Sequence, residues 1–129
     1  MTRTGDRDAR RVLLIDDDRW VRALFADVLV AMGLRVDAAA SGDDGLARLE
    51  KGGYHLVITD LDLGPPGGLA VAAAARQGTA RVPVIIMSGA AGRLGDEEKV
   101  ARECAVLTKP VRVADLQAAV LSALPAGPR

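Results

Sequence analysis

Aromatic side chains are nearly absent from this chain of 129 residues: Phe, Tyr and Trp occur once each, although 50% of the residues are hydrophobic. We therefore expect a core built from Val, Leu, Ile and Ala. Cysteine and histidine are equally scarce. The single Cys104 excludes an internal disulfide and is typical of a reducing compartment, and we expect it to be a small buried hydrophobic residue. The single His55 has no Cys or His companion with which to bind a metal ion.

Net charge and long apolar runs are also missing. The 17 Lys and Arg residues balance the 17 Asp and Glu residues, so no overall field favours nucleic acid or an anionic membrane. No apolar run approaches the length of a transmembrane helix, and residues 1–10 ("MTRTGDRDAR") lack the apolar region of a signal peptide. We expect a cytoplasmic protein without direct binding to nucleic acid or membrane. It would have a leader over residues 1–10, one domain over 11–124 and a tail over 125–129.

The rest of the sequence alternates short apolar runs, which predict strands, with amphipathic segments, which predict helices. The predicted strands cover residues 11–17, 34–40, 54–60, 82–88 and 105–108, and the predicted helices cover 19–32, 42–52, 68–78, 95–104 and 112–124. This alternation predicts an α/β fold. We expect a doubly wound parallel sheet of five strands in the order 2-1-3-4-5, with right-handed crossovers and helices on both faces.

Polar residues follow four of the predicted strands. They are Asp16, Asp17 and Asp18 where the first strand ends, Asp60 at the end of the third, Ser88 at the end of the fourth and Lys109 after the fifth. In the order 2-1-3-4-5 these strands are neighbours, each about 4.8 Å from the next. Ligands of doubly wound sheets bind beyond the carboxyl ends of the strands. We therefore expect these side chains to face one pocket.

Taken singly, these residues have ordinary explanations. Asp18 is placed to be the N-cap of the next helix, Ser88 fits a strand-to-turn position and Lys109 fits an exposed surface. Asp16 and Asp17 are harder to explain, since adjacent acids repel one another unless a cation such as Mg²⁺ joins them. As a set, the residues indicate phosphoryl chemistry. A carboxylate accepts the phosphoryl group, while Mg²⁺, a lysine and a hydroxyl bind its oxygens.

The sequence resembles the receiver domain of two-component response regulators from about Val12 to Leu124. The resemblance rests on "VLLIDDD", "LVITDLDLGPPGGL", "VPVIIMSG" and "LTKP", which occur in the family's order and at its spacing. It implies a flavodoxin-like fold that catalyses only its own phosphorylation and dephosphorylation and switches between two conformations. The implied phosphoryl donor is a phosphohistidine on a sensor histidine kinase or a histidine phosphotransfer protein. The output partner or domain is not specified by these motifs.

The resemblance also implies roles for individual residues around the phosphoryl group. Asp60 is the implied phosphate acceptor, Ser88 the hydroxyl that turns toward the phosphoryl group, and Lys109 the ion-pair partner. Gly89, directly after Ser88, is expected to modulate the site. The family usually has a cis peptide bond after this lysine, so we expect Lys109–Pro110 to be cis, well above the base rate for X–Pro bonds.

The implied metal ion is Mg²⁺. By resemblance, Asp17 and Asp60 would bind it through their carboxylates, Asp62 through its backbone carbonyl, and Asp16 mainly through bound water. The side chain of Asp62 is not part of the usual pattern. It places an acid two residues beyond the acceptor, where we expect it to alter the lifetime of the acyl phosphate.

Two other features depart from the family pattern. Val106 stands three residues before Lys109, where the family usually has Tyr or Phe, and it lacks the ring that normally moves with the hydroxyl residue on activation. "GPPGG" (64–68) replaces the more usual Met-Pro-x-Met-Asp-Gly, although Gly68 keeps the family's glycine.

Two alternatives compete with this interpretation. "LVITDLDL" also resembles the first motif of haloacid-dehalogenase-type phosphatases, where Asp60 would be the nucleophile and Asp62 the general acid/base. That family binds its metal with acids that follow the lysine, and only Asp115 lies beyond Lys109 here. The other alternative is a receiver-like interaction module that works without phosphorylation, which only Val106 favours. A dinucleotide-binding protein is disfavoured because no Gly-rich turn follows the first strand.

Overall fold

Short runs rich in aliphatic residues form one parallel sheet in the computed structural model, which describes residues 9–77, 81–89 and 104–124. The strands are β1 (Arg11–Ile15), β2 (Arg35–Ala39), β3 (Leu56–Asp60), β4 (Val84–Ser88) and β5 (Ala105–Thr108). Their order is β2-β1-β3-β4-β5, and every pairing is parallel. The structure confirms the predicted fold class and strand order.

The first strand ends at Ile15, two residues earlier than predicted. The amide of Asp16 still donates to the carbonyl of Ala39 on β2 at 3.1 Å. The carboxylate of Asp16, however, accepts a hydrogen bond from the amide of Asp18 at 2.9 Å. The chain therefore turns away from the sheet directly after Asp16, which places the second and third acids on a turn.

The helices of the described residues are α1 (Arg19–Ala31), α2 (Gly42–Lys51), α3 (Gly68–Gln77) and α4 (Val113–Ala123). Local polar groups determine where two of them begin. As predicted, Asp18 is the N-cap of α1 and accepts hydrogen bonds from the amides of Trp20 and Val21. Ser41 caps α2 in the same way. The predicted helix over 95–104 lies outside the described residues except for Cys104, which is half-buried.

Within the described ranges, each face of the sheet packs against two helices. On the α1/α4 face, Val12, Leu14, Leu56, Ile58, Ile85 and Met87 pack with Phe25, Leu29, Leu116 and Val120. On the α2/α3 face, Leu13, Ile15, Val57, Val84 and Ile86 pack with Val71, Ala72 and Ala75. Alternate residues of the central strands thus enter opposite cores, which explains why those strands are apolar almost throughout.

The ends of the chain lie largely outside the described ranges, so the predicted leader and tail stay predictions. In the part of the chain that the structure describes, no helix is both long and apolar enough to cross a lipid bilayer.

Candidate functional site

Three carboxylates meet beyond the carboxyl ends of β1 and β3. Asp16 and Asp17 directly follow β1, and Asp60 is the last residue of β3, the neighbouring strand. One carboxylate oxygen from each residue lies within 4.8 Å of the other two. Asp16 and Asp60 are only 1% and 2% exposed, whereas Asp17 faces solvent. The register of the two strands, rather than proximity in sequence, brings these acids together.

The buried carboxylate of Asp16 is incompletely satisfied. Its Oδ1 accepts the Asp18 amide, but its buried Oδ2 has no hydrogen-bond partner among the described groups. Burial raises the pKa of Asp16 above its ordinary value of 3.8; the Asp18 amide opposes this effect, and the negative charge of Asp60 adds to it. A buried, unpaired carboxylate oxygen next to two other acids is a suitable ligand for a hard cation.

Lys109 reaches Asp60 from β5 across the intervening strand β4. Its Nζ lies 2.7 Å from Asp60 Oδ1, and the same oxygen accepts a hydrogen bond from the Asp62 amide at 3.1 Å. Burial lowers the pKa of Lys109, but the hydrogen bond and charge of Asp60, together with the charges of Asp16 and Asp62, raise it overall. Lys109 is therefore held as an ammonium ion beside the acidic cluster.

These groups line a cleft of about 540 Å³. Its polar lining consists of Asp16, Asp17, Asp18, Asp60 and Lys109. Its other lining residues are Val21, Leu24, Phe25, Met87, Gly89, Pro110 and Val111. Among the described residues, the cleft thus has an acidic floor with one ammonium group and a largely apolar wall formed by α1 and the segment after β5.

Ser88 occupies a different position from the other predicted site residues. It is fully buried at the end of β4, where its carbonyl accepts the Lys109 amide at 2.8 Å. Strand alternation places its side chain on the α2/α3 face with Ile86, whereas Asp60 and its register partner Met87 lie on the α1/α4 face. Ser88 is not among the described residues that line the cleft. Its contact with a phosphoryl group therefore stays a prediction.

The family model described as "Response regulator receiver domain" matches residues 12–121. The chain belongs to this family.

Individual relatives agree with this assignment. A gliding motility regulatory protein of Myxococcus xanthus is 32% identical over 83 residues, which is 63% of this chain and 11% of that protein. The solved response regulator receiver protein of Sinorhizobium medicae is 30% identical with a TM-score of 0.82, covering 91% of this chain and 95% of that one. The response regulator TrrA of Thermotoga maritima, solved in complex with Mg²⁺-BeF, is 25% identical with a TM-score of 0.79, covering 89% and 99% of the two chains.

Three of the curated relatives that this chain matches are much longer proteins. The receiver domain described here spans 11% of the Myxococcus protein and 35% of two streptococcal transcriptional regulators that it matches. The family assignment therefore concerns the receiver domain itself.

Gly89 directly follows β4, Val106 lies within β5 and Pro110 lies just after β5. Val106 pairs in register with Ile86 on the same side of the sheet as Ser88 and is 37% exposed. Gly89 lines the cleft, and the Lys109–Pro110 peptide bond is cis. The Pro65–Pro66 bond is also cis, which the sequence analysis did not anticipate.

The "GPPGG" loop is packed tightly at both ends. A Cβ at Gly68 would overlap the carbonyl oxygen of Asp60, and a Cβ at Gly42 would overlap the carbonyl oxygen of Pro66. Two glycines therefore allow the loop to lie between the end of β3 and the start of α2. Sequence reasoning assigned no role to Gly42, because the contact joins segments that are distant in the chain.

Arg22 is a further residue that the sequence analysis missed. Its Nη1 donates to the backbone carbonyl of Asp16 at 2.8 Å. One signal was available: Arg22 lies four residues after the N-cap Asp18, so one helical turn places it beside the acidic turn. Nothing in the pattern indicated that it would bind a carbonyl rather than a carboxylate.

Proposed function

We propose that this receiver domain accepts a phosphoryl group on Asp60 in a Mg²⁺-dependent reaction and signals by a shift between two conformations. The observation that carries the proposal is the environment of Asp60: a buried carboxylate with Lys109 on one oxygen and two further carboxylates within 4.8 Å. A carboxylate so placed is a nucleophile beside groups that stabilise phosphoryl charge.

The donor set fits Mg²⁺. The three carboxylates and the unpartnered Oδ2 of Asp16 match the preference of this ion for hard oxygen ligands and retained water. The residues that would hold it are Asp17, Asp60 and the backbone carbonyl of Asp62, with Asp16 acting through water. When bound, the ion would neutralise charge on the phosphoryl oxygens. The Mg²⁺-BeF complex of TrrA supports this choice of ion.

The hydrogen bonds described for Asp60 indicate which oxygen reacts. Lys109 and the Asp62 amide both bind Oδ1, so Oδ2 is the oxygen that attacks phosphorus. The new O–P bond forms as the P–N bond of the phosphohistidine donor breaks, and the leaving imidazole retains the electron pair. Attack of water on phosphorus later releases inorganic phosphate and restores the Asp60 carboxylate. Lys109 remains an ammonium ion throughout and neutralises part of the phosphoryl charge.

A sensor histidine kinase or histidine phosphotransfer protein, acting in the cytoplasm, would supply the phosphoryl group. The apolar wall of the cleft supports a protein donor, since it offers contact surface beside Asp60. Val21, Leu24 and Val111 line this wall.

Intact-protein mass spectrometry after incubation with a small phosphodonor tests the proposal. We expect one phosphoryl group on the wild type with Mg²⁺, and none with EDTA or in Asp60→Asn. Asp27→Asn, which alters an exposed acid of α1, is the matched control and should be labelled like the wild type. Labelling that persists in Asp60→Asn would overturn the assignment. Steady turnover of unrelated phosphomonoesters would favour the phosphatase alternative, and absence of any labelling would favour the phosphorylation-independent module.

A further inference from the structure

Arg22 is attached twice to the turn that carries the acidic residues. Its backbone amide donates to the carbonyl of Asp18 at 2.9 Å, as part of the first turn of α1. Its side chain reaches back and donates from Nη1 to the carbonyl of Asp16 at 2.8 Å. The guanidinium group is partly buried against the turn that follows β1.

The contact with Arg22 completes the set of bonds that hold Asp16. Its amide is bonded to Ala39, its Oδ1 to the Asp18 amide and its carbonyl to Arg22. Among the groups that the structure describes, this leaves its Oδ2 without a hydrogen-bond partner. The carbonyl of Asp16 belongs to the peptide plane shared with Asp17. A bond that holds this plane therefore restricts ψ of Asp16 and φ of Asp17, and so limits the directions in which the two side chains leave the backbone.

We propose that Arg22 is a positioning residue for the Mg²⁺ site: it orients the Asp16–Asp17 peptide so that both carboxylates face Asp60. This inference rests on the proposed function, because it concerns the same metal site. Groups that orient metal ligands without touching the metal typically change its affinity by about 10- to 100-fold.

Charge and positioning predict opposite effects of removing Arg22. A guanidinium group near a cation site repels the cation, so charge alone predicts tighter Mg²⁺ binding when Arg22 is replaced by an uncharged residue. Positioning predicts weaker binding, because the two carboxylates lose their fixed directions. The sign of the change in affinity therefore distinguishes the two effects.

The experiment measures the Kd for Mg²⁺ by isothermal titration calorimetry in the wild type, Arg22→Met, Arg22→Lys and Arg19→Met. Arg19 is the matched control: it lies on the same helix, is exposed, and has its guanidinium 5.1 Å from the Trp20 ring centroid. We expect Arg22→Met to weaken binding about tenfold, the lower end of the usual range. Arg22→Lys keeps the charge and one donor and should recover part of the affinity, and Arg19→Met should bind like the wild type.

Thermal unfolding in EDTA shows whether each variant is folded. The ¹⁵N chemical shift of the Asp17 amide shows whether the Asp16 carbonyl still accepts a hydrogen bond. Arg22→Met that folds and binds Mg²⁺ as tightly as the wild type, or more tightly, would overturn the proposal. If Arg22→Met does not fold, Arg22→Lys decides: unchanged affinity with a shifted Asp17 amide would also overturn it. Failure of the wild type to bind Mg²⁺ would refute the proposed function instead.

Discussion

Replacing Gly68 by alanine should destabilise the receiver domain, although alanine is the better helix former. Gly68 is buried at the start of α3, where the helix contacts the end of β3. A Cβ at this position would overlap the carbonyl oxygen of Asp60 and lie 2.8 Å from the Cα of Leu61. These are backbone atoms, which no rotamer change can move away. Either α3 or β3 must therefore shift.

The size of the effect follows from two opposing contributions. Overpacking costs about 1–3 kcal/mol, and rigid backbone neighbours place this site in the upper half of that range. Alanine recovers about 1 kcal/mol through its higher helix propensity. The expected net loss is about 1–2 kcal/mol, measured as a lower urea midpoint at an unchanged m-value.

Gly67 provides a matched control in the neighbouring position. A Cβ there would meet the carbonyl oxygens of Leu61 and Gly64 at 3.6 and 3.8 Å, which are ordinary contacts. Gly67→Ala should therefore be neutral or more stable by about 0.4–1 kcal/mol, through the lower entropy of the unfolded chain. If Gly68→Ala proves as stable as Gly67→Ala, the close approach of α3 to Asp60 does not constrain this fold.

Three further predictions concern charged groups. Burial raises the folded-state pKa of Asp16, so the fold loses stability as the pH rises from 3.8 through that higher value, because the charged form is disfavoured in the folded state. Asp16→Asn should therefore raise the melting temperature in EDTA at neutral pH and reduce the stabilisation gained from added Mg²⁺; calorimetry showing a lower melting temperature would contradict this. The Tyr54 hydroxyl donates to Asp37 at 2.6 Å and lowers its pKa, so Asp37 contributes stability above pH 3.8 that is lost as the pH falls through its lower folded-state value. Tyr54→Phe should lower the urea midpoint at neutral pH, and the midpoint should then fall less steeply as the pH drops below 3.8. If the variant's midpoint is lowered by the same amount at every pH, the Tyr54 hydrogen bond is not the cause of the lowered Asp37 pKa. Asp62→Asn should change the rate at which phosphorylated Asp60 is hydrolysed. The carboxylate of Asp62 repels the negative charge that develops on the attacking water, and it also activates that water. An unchanged rate of hydrolysis, measured by mass spectrometry, would show that this side chain does not influence the reaction.

Local signals in the sequence predicted much of the fold. Asp18 and Ser41 cap their helices through hydrogen bonds to amides two or three residues away, so the responsible groups lie within one short window of sequence. The strand order followed from the alternation of strands and helices and from the rules for doubly wound sheets. The predicted end of β1 is two residues too late. The pattern of apolar residues does not indicate that the side chain of Asp16 accepts a hydrogen bond from the Asp18 amide and so ends the strand.

Contacts between distant segments were not predictable in the same way. The close approach of Gly42 to the Pro66 carbonyl, which leaves no room for a Cβ, depends on how α2 and the loop after β3 are placed against one sheet. The bond from Arg22 to the Asp16 carbonyl depends on the path of the turn between β1 and α1. Neither residue type indicates such a contact in the sequence, since glycine and arginine are common in other roles.

By itself the sequence determined the fold class and which residues are candidates for the chemistry, because the acids, the serine and the lysine stand at the ends of strands whose order obeys general rules. Only the tertiary structure decided how they are arranged. Strand register brings Asp60 within reach of the acids after β1, and the span across β4 lets Lys109 bind one oxygen of Asp60. Strand alternation turns Ser88 to the other face of the sheet, because neighbouring residues of a strand point in opposite directions.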